Sequence, residues 1–265
     1  MNGEYVSKRL LPELIKQACE RHGIDYATFS DDWVLRLEKD DVVAWIVGYR
    51  FGLNDAASDR LADDKVAQYL ALQRENIPCI EHYLVKSLES PAIKYDNLSS
   101  LDPHLPYVVK PLNSSGGRDI RRYMNLQEAL RSLDNDEREE WAISPCYQIV
   151  QEKRLIVLDK TVLLAYEKLD PTDRQGLRMF NLGLGARPRD CHITNEEKTL
   201  AVHAMHACGL RLGAVDIVTL DSGEQRVIEI NSGIMTEYYA RHSTANYEKA
   251  GHLYDLLVSE LFHSS

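Results

Sequence analysis

The chain reads as an α/β protein of the α+β kind, and three patterns predict that class. Leu10, Leu11, Leu14, Ile15, Ala18 and Cys19 recur at i, i+1, i+4, i+5, i+8 and i+9, the period of an amphipathic helix. Short apolar runs at 42–48, 107–111, 154–158 and 161–168 are bounded by turn residues and read as strands, the last two joined by an Asp159-Lys160 hairpin turn. Thr194, with Glu197 three residues on, forms a capping box that starts another helix, which Gly209 stops.

In chain order, a helix is expected over 7–22, ended by Gly23, then strands over 24–29, 33–37 and 42–48. These make a small N-terminal α/β lobe over 1–59. A second helix is expected over 58–75, with Ser58 or Asp59 as N-cap, and a strand over 79–85. The three prolines of 86–106 mark loops and a boundary between lobes. A strand over 107–111, a polar loop over 112–117, a returning strand over 119–124 and a helix over 126–133 follow, with 134–140 a charged, solvated turn. Strands are expected over 148–151, 154–158 and 161–168, a polar loop over 170–188, the capped helix to Cys208, strands over 213–218 and 226–231, and a last helix over 247–262.

The formal net charge of −10 argues against a nucleic-acid-binding protein, because neutralising phosphates needs a surplus of Lys and Arg. Five scattered cysteines without a Cys-x-x-Cys pair favour reduced thiols over a disulfide framework. No apolar run is long enough to span a bilayer, and Pro12, Glu13 and Lys16 interrupt any signal-peptide core, so a cytoplasmic protein without membrane contact is expected.

Chemistry concentrates in the two strands 213–218 and 226–231. Asp216 lies within Ala-Val-Asp-Ile-Val, while Glu229 and Asn231 flank Ile230 and so share one strand face. Three oxygen ligands converging across a hairpin suit Mg²⁺, which is held by one or two carboxylates together with the phosphates of a nucleotide. Lys110 opens the loop Lys-Pro-Leu-Asn-Ser-Ser-Gly-Gly, whose Ser114, Ser115, Gly116 and Gly117 lack bulk. Their backbone N–H groups can close over phosphate while the lysine supplies a point charge. It is not a Walker loop, and by itself such a turn is more often an ordinary hairpin.

The ordered set of Lys110 with its Ser/Gly loop, Glu152-x-Arg154, Asn181-x-x-x-Gly185-Ala186, Asp216 and Glu229-x-Asn231 resembles the ATP-grasp superfamily. The likeness is to its glutamate-ligase branch, which adds amino acids to a ribosomal protein tail and to small peptides, and it covers about residues 60–240. It implies an ATP-grasp fold over 60–265, with a flap-bearing central lobe over about 88–147 and a C-terminal lobe over about 148–265. It implies an ATP-dependent, ADP-forming carbon–nitrogen ligase that joins a small-molecule or peptide carboxylate to an amine through an acyl-phosphate. By the same resemblance Lys65 and Lys110 bind ATP phosphates beneath the flap of Ser114, Ser115, Gly116 and Gly117. Tyr147 lies at the adenine hinge and Glu152 contacts the nucleotide. Arg154, Lys168 and Asn181 are the catalytic set, and Asp216, Glu229 and Asn231 hold two Mg²⁺ ions, or Mn²⁺ in their place. The short N-terminal lobe leaves the acceptor site open or completed by a second subunit of a homo-oligomer. Two other readings keep the same fold, a non-catalytic nucleotide-binding regulatory module and a phosphotransferase.

Plainer readings stand beside these. Glu229 and Asn231 read equally well as an exposed strand face. Asp216, costly to bury alone, is satisfied either by a cation or by an arginine such as Arg211. His203 and His206, at i and i+3, read as ordinary surface or packing histidines, and Arg174, Arg178, Arg187 and Arg189 either bind an anionic substrate or are simply solvated. After Glu-x-Asn the ligases continue through small residues and a Pro-Gly turn, whereas this chain reads Ser232-Gly233-Ile234-Met235-Thr236-Glu237, so the substrate does not transfer with the resemblance.

Overall fold

The structure is a computed structural model, and it describes residues 8–263 apart from 88, 90–97, 115, 135 and 138. The first helix, α1, spans Leu11–His22, and Gly23 ends it in the left-handed conformation at φ 62°. Ser7, where the helix was expected to begin, lies outside the described residues. No side chain at Leu10 caps it. Instead the buried carboxylate of Glu237 accepts from Leu10 N at 2.9 and 3.0 Å and from Leu11 N at 3.1 Å. A distant acid thus satisfies the orphan donors of this helix end. The strands β1 (Asp25–Phe29), β2 (Val34–Lys39), β3 (Val42–Val47) and β4 (Arg50–Phe51) form an antiparallel meander. Its inner face, with Leu35, Leu37, Ile46 and Phe51, packs on α1 and on the last helix in one cluster.

The helix expected over 58–75 is two helices, α2 (Ala56–Leu61) and α3 (Lys65–Arg74). The caps are Asp55 and Asp64, not Ser58 or Asp59, and each accepts from two backbone N–H groups of its own first turn. Asp64 therefore starts a new helix rather than continuing the old one, and it sets Lys65 at the first position of α3. The strand expected over 79–85 is likewise divided. Its first half bridges Cys79 to Val227 of another sheet, with Ile80 N donating to Val227 O at 2.8 Å, and its second half is β5 (Tyr83–Lys86).

β6 (Tyr107–Pro111), β7 (Arg121–Tyr123) and β8 (Glu140–Pro145) join β5 in a second four-stranded sheet of order β5-β8-β6-β7, with helix α4 (Leu126–Arg131) between β7 and β8 in the chain. β8 corrects the reading of its first residue as part of a charged turn. The apolar Trp141, Ala142 and Ile143 are fully buried between two neighbours, and tertiary pairing overrides the weak local signal.

β9 (Ile149–Leu158) is one continuous strand, not two, and pairs with β10 (Thr161–Leu169). The polar loop over 170–188 contains a hairpin of β11 (Thr172–Arg174) and β12 (Leu177–Met179), a turn of 3₁₀ helix at Leu182–Leu184, and the start of β13 (Arg187–Asp190). Helix α5 (Asn195–Ala207) carries the expected capping box. β14 (Leu212–Leu220) and β15 (Gln225–Asn231) close an antiparallel five-stranded sheet ordered β13-β10-β9-β14-β15. Two last helices, α6 (Glu237–Ala240) and α7 (Thr244–His263), follow. One face of this sheet presents Leu155, Val157, Val215 and Ile217 to α3 and α5. The other face carries the polar site.

Candidate active site

Strand register builds the site. Across the sheet Tyr166, Arg154, Asp216 and Glu229 stand opposite one another in successive pairs, and Lys168 stands opposite Glu152 two residues away. Directly paired residues project to the same side, so all six share one face. Asn231, two residues beyond Glu229, joins them and donates from Nδ2 to Glu229 Oε1 at 3.0 Å. A bulge after Asp216 leaves Ile228 unpaired and keeps Glu229 in step with Asp216.

At 1% exposure Asp216 is enclosed. Arg154 donates to both its oxygens, Nε to Oδ1 at 2.7 Å and Nη2 to Oδ2 at 2.5 Å, and Lys168 Nζ donates to Oδ2 at 3.0 Å while also bonding Glu152. Burial pushes the Asp216 carboxyl up, but the two cations outweigh it and hold the group below its ordinary value. Arg211, the arginine considered from sequence as a partner, is elsewhere, bonded to Asp159 and Glu260. Asp216 is thus cation-paired by two residues of the expected catalytic set.

Lysines face this row from the other side. Lys65, nearly buried at the start of α3, donates to Leu112 O at 3.2 Å and Ser114 O at 2.6 Å, which ties α3 to the root of the Ser/Gly loop. Burial lowers its pKa, and Glu229 opposes that shift. Lys110, on β6 opposite Ala142, is pulled by burial to about 8, again with Glu229 as the leading opposing influence. Glu229 is thus the leading acidic influence on both lysines.

The loop over this space is glycine-dependent. Gly116 and Gly117 have φ of 71° and 69°, which L side chains rarely adopt. A Cβ on Gly117 would lie 2.8 Å from Met179 Cε and 3.6 Å from Asn181 Nδ2, so the flap rests on the 179–184 segment. Ser115 lies outside the described residues. Asn181 caps the 3₁₀ turn, its Oδ1 accepting from Gly183 N at 2.7 Å.

Tyr147, in the link between β8 and β9, donates to Glu81 Oε2 at 2.8 Å, accepts from Arg226 at 3.1 Å and lies under that guanidinium at 4.8 Å. Its hydroxyl pins the link to β15. His203 and His206 are exposed on α5. Arg187 and Arg189 pair with Asp170 and Glu167, and Arg178 donates to Ile149 O.

Several residues were not legible in the sequence. Tyr166, buried beside Arg154, stacks on Tyr239 with ring centroids 4.7 Å apart. Arg50 of β4 donates to Ser232 Oγ at 3.1 Å and pairs with Asp63, so the N-terminal sheet meets the segment after Asn231. His82 is buried and its pKa is driven well down by burial and then by Lys110. Among the described residues only its Nδ1, which donates to Ile80 O at 2.9 Å, has a partner.

Among the described residues no three His, Cys, Asp or Glu side chains form a metal cluster on their own. The donors of Asp216, Glu229 and Asn231 are nevertheless all hard oxygens on one face, a set that fits Mg²⁺ completed by phosphate oxygens and water. No described helix is long and apolar enough to cross a membrane.

Comparison with known proteins concerns the chain as a whole. The tetrahydromethanopterin:alpha-L-glutamate ligase of Methanocaldococcus jannaschii is 23% identical over 260 residues, covering 83% of this chain and 85% of that protein. A bifunctional glutathione synthetase from Pasteurella multocida superposes with a TM-score of 0.62 at 16% identity, over 97% of this chain and 44% of that one. The ATP-grasp ligase PsnB, solved with a minimal precursor, gives a TM-score of 0.56 at 18% identity, over 78% of this chain and 63% of that one. This chain thus spans less than two thirds of either solved ligase. The profile of the RimK-like ATP-grasp domain matches residues 62–253, most of the chain, and the protein belongs to that family.

Proposed function

We propose that the protein is an ATP- and Mg²⁺-dependent carboxylate–amine ligase that forms an amide through an acyl-phosphate. The observation that carries this reading is the two-sided site, with Lys65 and Lys110 on one side and the face bearing Glu152, Arg154, Lys168, Asp216, Glu229 and Asn231 on the other.

A carboxylate is a poor electrophile. Attack of its oxygen on the γ-phosphorus of ATP breaks the bond to the β-phosphate oxygen and releases ADP. The neutral amine then attacks the acyl carbon, phosphate leaves, and the nitrogen loses a proton to give the amide. Lys65 and Lys110 hold the phosphates, and the Gly116-Gly117 flap excludes water above them. Asp216, Glu229 and Asn231 would hold Mg²⁺, which when bound neutralises charge on the phosphoryl oxygens. In the free protein Arg154 and Lys168 neutralise Asp216. Their positive charge would oppose the charge that develops on the transferred phosphoryl group. Tyr147 and the segment around it position the base.

The name of the curated relative makes L-glutamate the first amine to assay. The test is ADP release on mixing protein, ATP and Mg²⁺ with pools of carboxylates and amino acids. Release above background that requires both a carboxylate and an amine supports the ligase. Protein that binds ATP yet releases no ADP with any pool refutes it.

A further inference from the structure

The outer face of the N-terminal sheet carries large apolar side chains where an antiparallel sheet facing water is ordinarily polar. The inner face is covered by α1 and α7. On the outer face the register aligns three rows across β1, β2 and β3: Phe29, Val34 and Val47; Ala27, Arg36 and Trp45; Asp25, Glu38 and Val43. Phe29, Val43, Trp45 and Val47 are 40–47% exposed, and the Phe29 and Trp45 rings lie 6.0 Å apart. Together they form a contiguous patch and not scattered surface residues.

The rim of this patch is acidic. Asp31 and Asp32 occupy the β1–β2 turn, Asp40 and Asp41 the β2–β3 turn, and Asp25 the start of β1, all of them exposed. Among the described residues Arg9 reaches this rim, donating to the backbone oxygen of Asp32 at 2.7 Å. Arg36 bonds Glu38 at 2.6 Å, and Lys39 Nζ donates to His22 O at 3.0 Å.

We propose that this face docks a polypeptide segment whose apolar side chains are interleaved with Lys or Arg. Two observations select that occupant. The acidic rim repels nucleic acid, anionic lipid and a second copy of a chain of net charge −10, and attracts a basic segment. Three strands about 4.8 Å apart and five or six residues of about 3.4 Å each offer roughly 300 Å² in projection. A specific interface between folded partners needs about 800 Å² on each side. The face matches one strand or helix of a peptide better than a second folded chain.

Trp45 is its own reporter. Titration of the full chain with a twelve-residue peptide of alternating leucine and lysine should shift Trp45 emission to the blue, and Trp45→Phe should abolish the shift. A peptide with glutamate in place of lysine should give none. Val43→Ser with Val47→Ser should weaken binding by about tenfold or more while leaving the melting temperature near that of the parent, since both side chains are exposed. Asp31→Asn, Asp32→Asn, Asp40→Asn and Asp41→Asn combined should weaken it and flatten its salt dependence. The proposal is overturned by an unchanged Trp45 emission, by equal affinity of the serine variant, or by equal binding of the glutamate peptide. Trp45-dependent self-association in ultracentrifugation would overturn it as well, and would make the occupant a second copy.

Discussion

Replacing Asp216 with asparagine keeps the shape of the side chain and removes the charge that joins β14 to β9 and β10. Arg154 and Lys168, 17% and 5% exposed at the side chain, would then face each other without their common anion. Removing one partner of a buried ion pair costs about 3–5 kcal/mol, because the remaining charge stays desolvated. At about 2–3 °C per kcal/mol for a chain of this size, the melting temperature should fall by roughly 6–15 °C. The acid limb should change too. The Asp216 carboxyl is held below its ordinary 3.8, so its contribution is fully present above that value and is lost as pH falls through the lower folded-state value. Urea unfolding at pH 7 and pH 3 measures both effects. Adding Arg154→Met to Asp216→Asn should cost less than the sum of the two single changes, since it removes one of the stranded charges. A loss below about 1 kcal/mol at pH 7, the value of an exposed pair, would refute the enclosed charge network.

Further expectations concern three residues of the surroundings. Burial sets Lys110 near 8, so its ammonium is lost as pH rises through that value, and calorimetric affinity for ATP should fall above pH 8 in the wild type but not in Lys110→Met. The unfolded chain binds more protons between about 8 and 10.5, so the stability of the free protein should rise over the same range. Glu237→Gln should destabilise the protein by about 1.5–3 kcal/mol in urea titrations, by weakening charged acceptance from the α1 amides, while ATP affinity holds. Gly117→Ala forces a left-handed alanine against Met179, a strain of about 1–2 kcal/mol. ATP affinity should drop by roughly 5–30-fold, the equivalent of that strain, if the flap must hold this conformation over the nucleotide.

Much of this was legible in the chain because its signals are local. The Thr194-Glu197 capping box, the left-handed Gly23 and the alternation of Glu229 and Asn231 each depend on neighbours within four residues. What was not legible depends on distant pairing. β8 is a strand because β5 and β6 flank it, and α1 is capped by Glu237, more than two hundred residues away. The split between α2 and α3 is a milder case, since Asp64 was visible but a run of helix formers masked it. Asp216, Glu229 and Asn231 stand out by residue type as candidate oxygen ligands, whereas the pairing of Asp216 with Arg154 and Lys168 required the register of three strands. Tyr166 and Arg50 gave no signal, because a lone tyrosine in a strand and a lone arginine at a sheet edge are ordinary.

The central claim is tested most directly by replacing the amine with hydroxylamine. In the presence of ATP, Mg²⁺ and the carboxylate substrate, the proposed acyl-phosphate should be trapped as a hydroxamate, with one ADP formed for each hydroxamate and neither product in Asp216→Asn. Formation of AMP and pyrophosphate, or ADP without hydroxamate at saturating hydroxylamine, would contradict it.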